Sequence, residues 1–217
     1  IAEFESHLHE TAAVVTPTQR LSRLVREAVR RHHLASKAVV LDTPVMPLKQ
    51  YWLLQTQRAM TLGDLVPQRN LSAFAQRKLW QDIIKHDQRN GFSLLHPSRA
   101  AELCVQADER LLLWTIDTNS REFAQYFELE EDASAILRWR RTYVERLKEL
   151  EFSTPERLLE QLLRHRLNHG GHEDTLIELY FDEMAPLFEK LHDTAKERCA
   201  IRRAQARAKV ESPRTFN

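Results

Sequence analysis

The chain has 217 residues, of which 42% are hydrophobic, enough to fill the core of one large domain or two small ones without disulfide staples. Its 32 Lys and Arg nearly cancel its 31 Asp and Glu, so no global field recruits a polyanion and any basic surface is local. No apolar run approaches the about 20 residues that cross a bilayer, and Cys104 and Cys199 lie too far apart for a metal-ligand pair or a disulfide framework, so the expectation is a cytoplasmic protein with reduced thiols and no membrane partner.

The chain opens on Ile1 and a decapeptide with three acidic residues and two histidines, which does not read as a signal peptide and suggests a processed or trimmed piece. Residues 12–15, Ala-Ala-Val-Val, read as a buried strand, as do residues 37–42, Lys-Ala-Val-Val-Leu-Asp. Between them Leu21, Leu24, Val25, Ala28 and Val29 repeat at helical spacing, predicting a crossover helix from Pro17 to about Leu34 and hence a βαβ unit over residues 1–62. Pro47 is expected to open a helix through Leu48, Tyr51, Trp52 and Leu54, with residues 61–70 as a polar linker.

Residues 63–172 read as a helical insertion. One helix carries Phe74, Leu79, Trp80, Ile83 and Ile84; another starts near Ser98 and carries Leu103, Val105, Leu111, Leu112 and Trp114; a third runs from Ile136 to Leu150. A fourth opens at Ser153-Thr154-Pro155-Glu156, where Ser153 and Glu156 suit a capping box, and ends near Asn168. Residues 173–217 return to the sheet: a strand over residues 175–181, a helix through Leu187, Leu191 and Ala195, and a polar tail from Arg202 onward expected to fray. The fold class expected is a helix-rich α/β protein with a parallel sheet, and three strands are few enough to suggest a truncated one.

The first strand-to-helix turn carries the functional argument. A phosphate-binding loop needs glycines that expose backbone amides, then Lys and a hydroxyl residue for the phosphates and magnesium. The turn here, Val15-Thr16-Pro17-Thr18-Gln19-Arg20-Leu21, has no glycine and no lysine. Thr16 and Gln19 instead have the spacing of a Thr-x-x-Gln capping box, so the helix is expected to begin at Pro17 and close its own amides. The third strand is expected to end in Phe181-Asp182-Glu183, where acidic residues hold magnesium in nucleotide-hydrolysing α/β proteins; a cap on the following helix is the plainer reading.

Several short motifs together resemble bacterial DNA-repair proteins related to the AddB and RecC subunits of helicase-nucleases. They are Val14-Val15-Thr-Pro-Thr-Gln-Arg-Leu-Ser-Arg, Asp42-Thr-Pro-Val-Met-Pro-Leu-Lys-Gln-Tyr-Trp52, Arg77-Lys-Leu-Trp80 with Ile83-Ile84, Ala133-Ser-Ala-Ile-Leu-Arg-Trp-Arg140, and Tyr180-Phe-Asp-Glu-Met-Ala-Pro186. The resemblance implies a P-loop NTPase, superfamily 1 helicase-like first domain with a helical insertion, in proteins that continue into a PD-(D/E)xK nuclease. The nuclease constellation is not found in this sequence. RecC-like members lack the phosphate loop and guide DNA as scaffolds, which implies a degenerate nucleotide site at Thr16, Thr18, Gln19, Arg20, Asp182 and Glu183.

Arg20, Arg23, Arg26, Arg30 and Arg31 fall mainly off the apolar stripe of the first helix and suit sequence-blind contacts to DNA phosphates, a solvated face being the alternative. Arg138, Arg140, Arg141 and Arg146 surround Trp139 and Tyr143, a pattern that suits base stacking, although core packing of Trp139 is the commoner outcome. His165 and His169, with His172 nearby, have a metal-ligand spacing but no carboxylate to orient them, so neither metal nor cofactor is expected. The expected function is that of a catalytically silent helicase-like module that positions single-stranded DNA or a duplex end, or the remaining domains of a larger repair nuclease. An ATP-dependent motor fragment and a protein-interaction module without DNA binding are the alternatives.

Overall fold

β1 (Ala12–Thr16) passes through Pro17-Thr18 into α1 (Gln19–Ser36), and β2 (Val45–Pro47) runs directly into α2 (Leu48–Leu62). Then come β3 (Arg69–Asn70), α3 (Ala73–Arg89), α4 (Pro97–Leu113), α5 (Arg121–Phe127), α6 (Glu131–Glu149), β4 (Phe152–Ser153) and α7 (Pro155–His169). The chain returns through β5 (Thr175–Leu179) and α8 (Pro186–Lys196) to β6 (Ile201–Ala204). This computed structural model describes residues 12–36, 44–89, 96–127, 131–169, 175–196 and 201–204. They fall into a sheet unit, within residues 1–52, 171–184 and 195–217, and a helical unit, within 53–170 and 185–194. Among the described residues no helix is long and apolar enough to cross a membrane.

The sheet unit is built on four parallel strands in the order β2-β1-β5-β6. β1 is an inner strand, and Ala13, Val14 and Val15 are accordingly buried, as a strand covered on both faces requires. Val14, Val45, Ile177 and Leu179 form the core on one face, with Val25 of α1 packed against them. From β1 the chain steps to β2 on one side, then to β5 on the other. The gap between the carboxyl ends of β1 and β5 is therefore the topological switch point, where open α/β sheets place their ligands.

Several expectations need correction here. Pro47 ends a strand instead of opening a helix: it pairs with Thr16, and among the described residues β2 is the sheet's edge, where a residue without an N–H donor is tolerated. The strand expected at residues 37–42 lies outside the described residues. The expected fraying tail contributes a strand, with Ile201 and Ala204 in register with Leu176 and Leu179, so the described residues alone put four strands in the sheet where three were expected. On α1, Leu24 is 59% exposed and Ala28 is also exposed, while Ser22 is buried, so the inward face is centred on Ser22, Val25 and Val29.

In the helical unit, α3, α4 and α6 share a core in which Trp80 stacks on Tyr143 with ring centroids 4.4 Å apart. The linker expected at residues 61–70 is more ordered than its polarity suggests. α2 runs to Leu62 and ends on Gly63 at φ +85°, where the Asp64 amide donates to the Ala59 carbonyl and the Gly63 amide to Met60, a Schellman closure that a left-handed glycine permits. β3 then pairs in parallel with β4, and the Arg69 guanidinium sits 5.0 Å from the centre of the Phe152 ring. Because Ser153 belongs to β4, it does not cap α7 as expected; Thr154 stands at the cap position and its carbonyl accepts the Leu158 amide.

Candidate functional site

At the switch point, the Thr16-Pro17-Thr18 turn is closed by hydroxyl groups. Thr16 remains in strand register, so the cap falls two residues later than its capping-box spacing suggests: Thr18 Oγ1 accepts the Leu21 amide at 3.3 Å, and α1 begins at Gln19. The buried Thr16 hydroxyl turns inward, 2.6 Å from Ser22 Oγ and 3.1 Å from the Thr18 carbonyl, which also lies 3.2 Å from Ser22 Oγ. Two hydroxyl protons thus serve one carbonyl and one hydroxyl oxygen, all neutral and all within seven residues of chain. Gln19 and Arg20 in the first turn are exposed.

β5 lies beside β1, with Val15 opposite Glu178, so residues 180–183 leave the sheet at the same edge as this turn. The strand stops at Leu179, earlier than expected, because Tyr180 adopts a left-handed φ of 62° that an extended ladder cannot continue. Asp182 and Glu183 are exposed beyond that break. Neither caps the next helix: the Ala185 carbonyl accepts the Phe188 and Glu189 amides, which makes Ala185 the cap residue of α8. Sequence reading passed over Glu178, a carboxylate only 2% exposed within β5; its place in a strand covered on both faces was the available signal.

The arginines of α1 divide into two sets. Arg30 and Arg31 both bond the Glu27 carboxylate, at 3.0 and 2.8 Å, and these bonds hold that carboxyl below its ordinary range, Arg30 contributing most. Arg20, Arg23 and Arg26 are exposed and make no ion pair among the described residues.

The second basic cluster is tied into the helical unit's packing. Trp139 and Tyr143 are 4% and 1% exposed, which removes both as stacking platforms for bases. Asp87 accepts from Arg138 and from the Trp139 indole, each at 2.7 Å, and the Arg138 bond chiefly holds its carboxyl below the usual range. Arg146 pairs with Glu149, while Arg141 is exposed. His165 and His169 approach to 4.9 Å between ring centres, but no group of three potential metal ligands occurs among the described residues, and His172 lies outside them.

Arg140 belongs to a buried ionic cluster that was not anticipated. Asp108 of α4 accepts from Arg140 Nε at 2.7 Å and, through both carboxylate oxygens, from Arg157 Nη2 at 2.8 Å. Arg140 Nη1 also donates to Thr118 Oγ1 at 2.8 Å. The signal in the sequence was an acid on an apolar stripe: Ala101, Cys104, Asp108 and Leu112 form the buried face of α4. Two structurally separate features are therefore present, a neutral closed turn and a charged buried cluster. No known family model matches this chain, and no curated protein is significantly similar to it.

Proposed function

We propose that the chain is a catalytically silent helicase-like α/β module that binds and positions DNA within a larger AddB- or RecC-like repair helicase-nuclease. The observation that carries this reading is the switch-point turn, where the Thr16 and Ser22 hydroxyls engage each other and the Thr18 carbonyl while the Thr18 hydroxyl accepts the Leu21 amide, with no glycine or lysine to bind a phosphate. The order of elements supports it too: a run of helices separates β2 from β5 of one parallel sheet, as expected of a superfamily 1 helicase-like domain with an insertion. In this reading the exposed Asp182 and Glu183 are the remnant of a motor's magnesium-holding acids, and the first turn offers them no lysine. DNA contact falls to Arg20, Arg23 and Arg26, as sequence-independent phosphate contacts.

A purely protein-binding role is the second reading. Leu24 and Leu34, 59% and 62% exposed, share α1 with those arginines, and exposed aliphatic residues suit a protein surface better than a phosphate backbone. Titration of a fluorescent oligothymidylate with the wild-type chain and an Arg20→Ala/Arg23→Ala/Arg26→Ala variant separates the readings. The proposal expects binding by wild type, a large loss in the variant and no ATP hydrolysis. Equal binding by both proteins would remove the α1 assignment, and measurable ATPase would restore the motor reading.

A further inference from the structure

Within the helical unit lies a pocket of about 1060 Å³, walled by parts of α4, α6, α7 and α8 and by the loop after α4. Arg140 and Arg157 line it, and their side chains are only 15% and 14% exposed. A guanidinium carries five N–H donors, and burial makes each unused one costly. Arg157 makes both its bonds to Asp108 through Nη2, and its Nε is buried without a hydrogen-bond partner among the described residues. Arg140 uses Nε and Nη1, and its Nη2 has no hydrogen-bond partner among the described residues.

The charges point the same way. Two guanidiniums face one carboxylate, and the buried Glu156 and Arg166 of α7 add one charge of each sign, which leaves the excess unchanged. The other ionisable residues on the wall, four basic and four acidic, also cancel. The uncompensated positive charge therefore belongs to the Arg140–Arg157 pair. Leu111, Val144 and Leu163 provide an apolar wall, and the volume lies just above the about 300–1000 Å³ usual for small-molecule sites.

We propose that this pocket binds a small organic anion whose phosphate or carboxylate completes the hydrogen bonding of Arg140 and Arg157 while its apolar body packs on Leu111, Val144 and Leu163. Paired guanidiniums suit planar, bidentate recognition of either anion. The inference stands apart from DNA binding, which was assigned to α1.

Calorimetric titration of the full chain with thymidine 5′-monophosphate and with decanoate tests it, with thymidine and decanol as uncharged counterparts. At least one anion is expected to bind, at least about tenfold more tightly than its counterpart; which one binds distinguishes a phosphate ligand from a carboxylate ligand. Arg157→Lys keeps the charge but loses the planar fork, and is expected to weaken binding by about tenfold or more. Because that change also touches Asp108, Val144→Trp provides a second variant that fills the apolar wall and leaves the ions alone; it should abolish binding while the melting transition stays cooperative. The proposal is overturned if neither anion binds, if the neutral counterparts bind equally well, or if both variants bind like wild type.

Discussion

The sheet unit and the helical unit bury polar groups by opposite means. Beside β1, Thr16 and Ser22 bury neutral hydroxyls that satisfy each other and the Thr18 carbonyl. In the helical unit, Asp108 is buried with a carboxylate that two guanidiniums share. A hydroxyl both donates and accepts, so a few of them complete a network with nothing left over; two arginines on one aspartate leave donors and charge in excess. The first arrangement matches its donors to its acceptors, and the second leaves guanidinium donors without a partner among the described residues.

The largest effect that would break this contrast is at Asp108. Asp108→Ala leaves two guanidiniums without their carboxylate and is expected to cost about 3–5 kcal/mol in urea unfolding. Adding Arg140→Met and Arg157→Met should recover most of that loss, because an apolar replacement removes the stranded charges. A loss below about 1 kcal/mol for Asp108→Ala would mean that water already solvates the cluster. Thr16→Val is expected to cost about 1–2 kcal/mol, since Ser22 loses one neighbour and keeps the Thr18 carbonyl. Thr18→Ala removes a cap at the longer distance of 3.3 Å. Its cost should be about 0.5–1 kcal/mol, and a larger value would make the cap more important than the buried hydroxyls.

Asp87 gives a smaller, pH-dependent effect. Its carboxyl is held below the ordinary 3.8, first by the Arg138 hydrogen bond, so its contribution is present above that value and is lost as pH falls through the lowered folded value. The Arg138 side chain is 51% exposed, so solvent screening limits the contribution to about 1 kcal/mol or less. Urea unfolding of wild type and Asp87→Asn across pH 2–5, taken as about the carboxylate range, should show a shallower acid slope in the variant. Finally, burial pushes the Cys104 thiol up to about 12. Peptide mapping after iodoacetamide treatment should find it unmodified in the native chain at pH about 8 and modified in urea.

The long helices were legible because their buried residues recur at helical spacing: Trp80, Ile83 and Ile84 on α3, and Trp139, Tyr143 and Leu147 on α6, are all in the core. β1 was legible because it is an inner strand, apolar on both faces. β2 was hidden because Val45 and Met46 lie between Pro44 and Pro47 and read as a turn; only pairing with β1 makes them a strand. Ile201-Arg-Arg-Ala204 carries no strand pattern of its own and acquires its identity from β5. At the candidate sites, the absence of glycine and lysine from the first turn was plain, but the position of the cap was not, because Thr16 and Thr18 both suit it and strand register decides between them. The Asp108 cluster joins residues 49 positions apart, and local spacing cannot reveal such a partner.

The role proposed for this chain is to bind DNA without hydrolysing nucleotide. The most direct test is the anisotropy of a fluorescent oligothymidylate titrated with the chain at about 50 and 200 mM salt, with and without magnesium-ATP. Three phosphate contacts by Arg20, Arg23 and Arg26 predict binding at low salt, a log–log salt slope of about −2, and no effect of ATP. Absence of binding at the lower salt concentration, or hydrolysis of ATP stimulated by the oligonucleotide, would contradict the account.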